Sequence, residues 1–143
     1  MIRMFPLLLI PLIIYNVIAL AGGAILHHDI QDMLSYDHSL AIKMFSGDTW
    51  RFSFGDFLVL LSLALLFVEV VKATRTTARE IINHGLSMLT FVVALIEFIV
   101  LKGFASTPFF FIMFMTLFDV VAGYTISIVA AEHDLGLGRA GTD

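Results

Sequence analysis

Three carboxyl side chains stand in stretches otherwise built to exclude water. Glu69 lies in Phe57–Val71, Glu97 in Gly85–Leu101, and Asp119 in Pro108–Ala131. Asn16 adds a neutral polar group to the apolar run Pro6–Leu26. An ionisable group at mid-membrane costs about 2.5–3.5 kcal/mol on insertion scales, so its presence raises a functional question. Such acids have three uses. Held neutral by burial, they hydrogen-bond neighbouring helices together with Ser, Thr and Asn, at around 0.6–2 kcal/mol per contact. Staggered as Glu69–Asp119–Glu97, they form a path for protons or small cations, within one bundle or between copies. In the third use they face a cationic group or cofactor supplied by another subunit, because no Lys or Arg of this chain lies deep enough to neutralise Glu97 or Asp119.

Depth ranks these residues. Counting about 1.5 Å per residue from each helix centre puts Asn16 and Asp119 near the midplane. The same count puts Glu97 roughly 6 Å toward the outer side and Glu69 roughly 7 Å toward the cytoplasm. Asp119 is the strongest functional candidate because of its depth; Tyr15 and Tyr124 could supply it with hydroxyls, their facing being left open by the sequence. Glu69 is the weakest, since Lys72 follows one turn later and an i,i+3 pair near the headgroups is an ordinary surface feature.

A second candidate lies at His27-His28-Asp29, with Asp32, Asp37 and His38 further on. His and carboxylate ligands suit zinc, copper or nickel, and His28 and Asp32 are spaced i,i+4. His27, His28 and Asp32 are therefore the candidate ligands for a divalent metal, against the competing reading of a solvated helix terminus. No other cofactor is expected. His84 could ligate a haem or chlorophyll, but a lone His there more often hydrogen-bonds at a helix interface. Phosphate-binding loops, nucleophile elbows and paired-His metalloprotease motifs are missing, and Gly136-Leu137-Gly138 has no following helix. An enzyme is not expected.

The elements that position these groups follow from composition. Hydrophobic residues make up 59% of the 143 and charged residues 14%, against roughly 45–50% and 25% in soluble domains. Mean hydropathy is +0.98. So little polar surface cannot cover a soluble globule, and the absence of Cys excludes a disulfide scaffold or a Cys-based site. Eight basic residues against twelve acidic leave no footprint for nucleic acid.

A spanning helix needs about 20 largely apolar residues, which predicts helices over about 6–26, 55–73, 81–102 and 108–131. Capping signals agree. Ser53 and Asp56 have capping-box spacing, as have Thr77 and Glu80, and the second and third helices should join in a tight turn. Lys102-Gly103 closes the third, Thr107-Pro108 opens the fourth, and Leu135-Gly136 should end it. Arg3, Lys72, Arg75, Arg79 and Arg139 share one side against Lys43, Arg51 and Lys102, which places both termini in the cytoplasm. The first run is longer than a signal-peptide core and is read as a retained helix.

The long connection, residues 27–55, should be periplasmic. Ile30, Met33, Leu34, Leu40, Ala41, Met44 and Phe45 share one helical arc, which predicts an interfacial amphipathic helix over about 29–45. Trp50, Phe52 and Phe54 then serve as an aromatic anchor.

Each intramembrane polar group also sits on a stripe of small and polar residues. These are Asn16, Ala19 and Gly23 in the first helix, and Gly55, Ser62, Glu69 and Thr76 in the second. Asn83, Ser87, Thr90, Ala94 and Glu97 form the third, and Thr116, Asp119, Gly123, Ser127 and Ala130 the fourth. Steps of three, four and seven keep residues on one face, and small or hydroxyl residues favour close packing in lipid. The expected fold is all-α: one transmembrane domain, a four-helix bundle with an additional periplasmic interfacial helix and an inward polar seam.

Phe67-Val68-Glu69 with Lys72, the basic turn into the third helix, Glu97 late in that helix and the long outer loop resemble the phosphate-starvation-inducible E-type family of small four-helix inner-membrane proteins. The resemblance covers most of the chain in layout. The His-rich exit and the Asp119 stripe have no counterpart in it. It implies a stress-linked membrane protein of undefined biochemistry. The expected role is a non-catalytic accessory or structural subunit in a bacterial inner-membrane complex, in contact with lipid, other subunits or further copies. The alternative is a small oligomeric proton- or cation-conducting transporter.

Overall fold

The computed structural model describes residues 5–22, 34, 39–74 and 78–139. These form helix α1 (Leu9–Ala21), strands β1 (Leu40–Lys43) and β2 (Thr49–Phe52), and helices α2 (Phe54–Ala73), α3 (Ala78–Val100) and α4 (Thr107–Arg139). Among the described residues three helices are long and apolar enough to cross a membrane: Phe54–Ala73, and the segments Ile82–Val100 of α3 and Thr107–Glu132 of α4. Helix α1 is apolar but shorter as described.

Local chemistry sets most boundaries. Ser53 caps α2 in a complete capping box: its hydroxyl accepts from the Asp56 N–H at 3.2 Å, and the Asp56 carboxylate accepts from the Ser53 N–H at 2.8 Å. Gly103, at φ +91°, supplies the left-handed residue that ends α3. Helix α4 begins one residue earlier than Thr107-Pro108 implies. Ser106 is the cap, its hydroxyl accepting from the Phe109 N–H at 3.3 Å, and Thr107 is already helical. At its other end α4 continues through Leu135-Gly136 to Arg139. Nothing there forces an end, because a single Gly costs a helix only about 1 kcal/mol.

The predicted interfacial helix over 29–45 is corrected at its C-terminal end. Leu40–Lys43 is a strand, paired antiparallel with Thr49–Phe52 in the register Leu40–Phe52, Ala41–Arg51, Ile42–Trp50 and Lys43–Thr49. Residues 29–33 and 35–38 lie outside the described residues. The reason for the strand is the turn. The Gly47 N–H donates to the Met44 carbonyl at 3.0 Å and the Met44 N–H to the Asp48 carbonyl at 2.8 Å, with Gly47 at φ +95°. That is a three-residue hairpin loop with Gly in the left-handed position. Ile42, Thr49, Trp50 and Phe52 are residues that suit strands.

The apolar core lies between the helices, formed by Leu12 and Tyr15 of α1, Leu34, Leu58 of α2, Ala94 of α3, and Phe104, Phe109, Ile112 and Met113 around the start of α4. Outside it the surface is apolar too. Val17, Phe67, Ile99, Phe118 and Ile128 are exposed, as are many other large hydrophobic side chains. A surface of this kind suits lipid, and water would expel it.

Candidate functional site

The polar groups inside the helices collect at two levels. At the α2–α3 end, Glu69 is only 1% exposed although it lies in the last turns of α2. Its carboxylate accepts from the Lys72 ammonium at 3.0 Å, from the Asn83 amide at 3.3 Å, and from the backbone N–H of Leu7. One side chain thereby joins α2, α3 and the turn that leads into α1. The expected Lys72 pair is present, but it is no ordinary surface pair: the turn at Leu7 and Asn83 cover the acid while Lys72 keeps 21% exposure.

Next to it, His84 of α3 is buried, and its Nε2 lies 3.0 Å from the Ser127 hydroxyl of α4. The imidazole rests on the α4 backbone at Gly123, where a Cβ would collide with the ring. Asp119, 4% exposed, faces the Ser87 hydroxyl, and the charged or titratable groups around it are Glu69, His84 and Lys72. The Ser87 Oγ and the Asn83 Oδ1 are both buried and have no hydrogen-bond partner of ordinary geometry.

The second level lies toward the α3–α4 loop. The Asn16 amide donates to the Glu97 carboxylate at 3.0 Å and to its own helix at the Leu12 carbonyl at 3.1 Å. The Tyr15 hydroxyl meets Ser106 at 2.6 Å and donates to the Gly103 carbonyl at 3.1 Å. Its ring packs against Phe104 and Phe109 at centroid distances of 5.4 and 4.7 Å. The Tyr15 hydroxyl, a candidate partner for Asp119, is therefore engaged with Gly103 and Ser106 instead. Tyr124 sits with its ring 5.8 Å from that of His84 and is partly exposed.

Between the two levels the hydroxyls are bound to their own helices. Ser62 donates to the Leu58 carbonyl at 2.7 Å, Thr90 to Leu86 at 2.9 Å and Thr116 to Met113 at 2.6 Å. The structure thus places Asp119 within electrostatic reach of Glu69 and gives Glu97 to Asn16 instead. Of the seam residues, Gly55, Ser62, Glu69, Asn83, Ser87, Thr90, Ala94, Thr116, Asp119 and Gly123 are buried, while Asn16 and Glu97 are half-buried.

His27, His28 and Asp32 lie outside the described residues, as do Gly23, Asp37, His38 and Thr76. Among the described residues, no group of three or more His, Asp or Glu is placed to hold a metal ion. The Leu7 N–H contact to Glu69 had no signal in the sequence; the Asn83 contact had one, its place on the third-helix stripe. Comparison with protein-family models, curated proteins and solved structures gives no match, so any functional reading rests on these residues.

Proposed function

We propose that this chain is a four-helix bundle in a bacterial inner membrane, with both termini cytoplasmic, and that it works as a non-catalytic accessory or structural subunit through helix–helix contacts. One observation carries the reading: Glu69 and Glu97 are each hydrogen-bonded to a polar group of another segment, so the intramembrane acids act as ties. The outward faces remain apolar and available to lipid, to larger subunits or to further copies. Phe110, Phe114 and Phe118 form an exposed aromatic row along α4, with ring centroids 5.9 and 4.9 Å apart. The layout resemblance to small stress-linked inner-membrane proteins agrees with such a role.

The test is the mass of the native complex, extracted from its own membranes in mild detergent and identified by mass spectrometry. Co-purification with larger subunits supports the accessory role. A lone monomer overturns it.

The unpartnered oxygens of Ser87, which Asp119 faces, and of Asn83, which binds Glu69, favour a second reading, in which this level of the membrane takes up a proton or small cation. A homo-oligomer in the mass measurement would give that reading weight. The Asp119→Asn variant decides it. A proton-carrying role predicts complete loss of flux in reconstituted vesicles, and unchanged flux sinks the idea.

A further inference from the structure

The hairpin carries two chemically opposite faces. Directly paired residues share a face and successive residues alternate. Leu40, Ile42, Trp50 and Phe52 therefore lie together on one side, and Ala41, Lys43, Thr49 and Arg51 on the other. The Trp50 and Phe52 rings meet edge to face at 5.5 Å on the apolar side. Met44 and Phe45 extend this apolar character to the tip, where Phe45 is fully exposed. Every strand residue except the half-buried Phe52 is exposed. A two-stranded hairpin alone is marginally stable in water, and one showing Leu, Ile and Trp to solvent is worse placed still.

Its position tells what covers it. Phe52 is followed by Ser53, the cap of α2, and the apolar span starts at Phe54. The exposed Phe54 and Phe57 rings, 5.9 Å apart, continue the apolar surface from hairpin to helix. Lipid that surrounds α2 is thus continuous with the apolar face. Trp and Tyr concentrate at the level of the headgroups, and Lys and Arg extend toward phosphate from there.

We propose that the Leu40–Phe52 hairpin lies flat in the membrane interface, with Leu40, Ile42, Trp50 and Phe52 turned into the acyl boundary and Lys43 and Arg51 turned to lipid phosphates. The inference goes beyond the proposed subunit role and needs only that α2 spans the bilayer. The hairpin is a lipid-binding element, held on the membrane face from which α2 starts.

Trp50 is the only Trp of the chain, so the full-length protein reports on this face without engineering. In vesicles of phosphatidylcholine and phosphatidylglycerol, its emission should be blue-shifted. Lipids brominated near the headgroup end of the acyl chain should remove more than half of it, and lipids brominated near the chain terminus less. Water-like emission that neither lipid quenches overturns the proposal. So does blue-shifted, unquenched emission, which would mean that another protein surface covers the face. Stronger quenching by the deep bromines overturns the interfacial placement. For the cationic face, omitting phosphatidylglycerol should weaken quenching in the native chain and leave the K43Q/R51Q double variant unaffected. An equal response in both overturns the headgroup assignment.

Discussion

The two ends of the helical assembly contain the same kind of residue and treat it differently. At one end Glu69 is buried under three donors, the Lys72 ammonium among them, and His84, Ser127 and Asp119 lie near the same level. At the other, Glu97 is half-buried and shares one amide with Asn16, while Tyr15, Phe104 and Phe109 fill the space nearby. Charge and hydrogen bonds join the first end, and ring packing joins the second. The contrast teaches that an intramembrane carboxyl is weighed by what closes over it, and depth along the helix is a poor guide.

Making one substitution at both ends breaks or sharpens the contrast. Glu69→Gln removes the ion pair and leaves Lys72 with an amide, so it should cost about 3 kcal/mol, at the low end for a buried pair because Lys72 can reach toward headgroups. Reversible unfolding in mixed micelles would show this as a large shift of the midpoint, and a midpoint like that of the native chain would mean the pair is idle. Next in size is Gly123→Ala. The added methyl displaces the His84 ring and strains its bond to Ser127, for about 1–3 kcal/mol as overpacking. Thermal melting in detergent should register it, and a parallel drop in His84→Ala,Gly123→Ala relative to His84→Ala alone would locate the strain elsewhere. The smallest effect belongs to Glu97→Gln. Its amide oxygen can still accept from Asn16, and interhelical bonds of this kind average about 0.6 kcal/mol. A loss in this variant as large as in Glu69→Gln would erase the distinction between the ends.

What could be read in advance divides along physical lines. Hydropathy and caps are local, so α2 and its Ser53–Asp56 box were legible, as was the glycine end of α3. The small-residue stripes were legible for the same reason, since periodicity along one helix needs no knowledge of its neighbours. Glu69 was misjudged because its cover comes from Leu7 and Asn83, which no spacing around Lys72 reveals. The hairpin was missed because Leu40, Ala41, Met44 and Phe45 satisfy a helical arc as well as their strand and turn. Ser46-Gly47-Asp48, followed by Thr49 to Phe52, was the competing signal, and a turn glycine between strand-forming residues outweighs a short amphipathic pattern. Ser106 lost the cap assignment to Thr107 because adjacent hydroxyls before a proline look alike until Tyr15 and the Phe109 N–H select one.

The hydrogen bond from Leu7 to Glu69 also bears on how the protein is made. Leu7 lies in the turn just before α1, and the acceptor for its N–H arrives 62 residues later in the chain. This turn cannot finish its entry into the fold until α2, which carries the acceptor, has been synthesised. The donor of Leu7 stays open until then, which makes the docking of the turn before α1 a later event in biogenesis than its own synthesis.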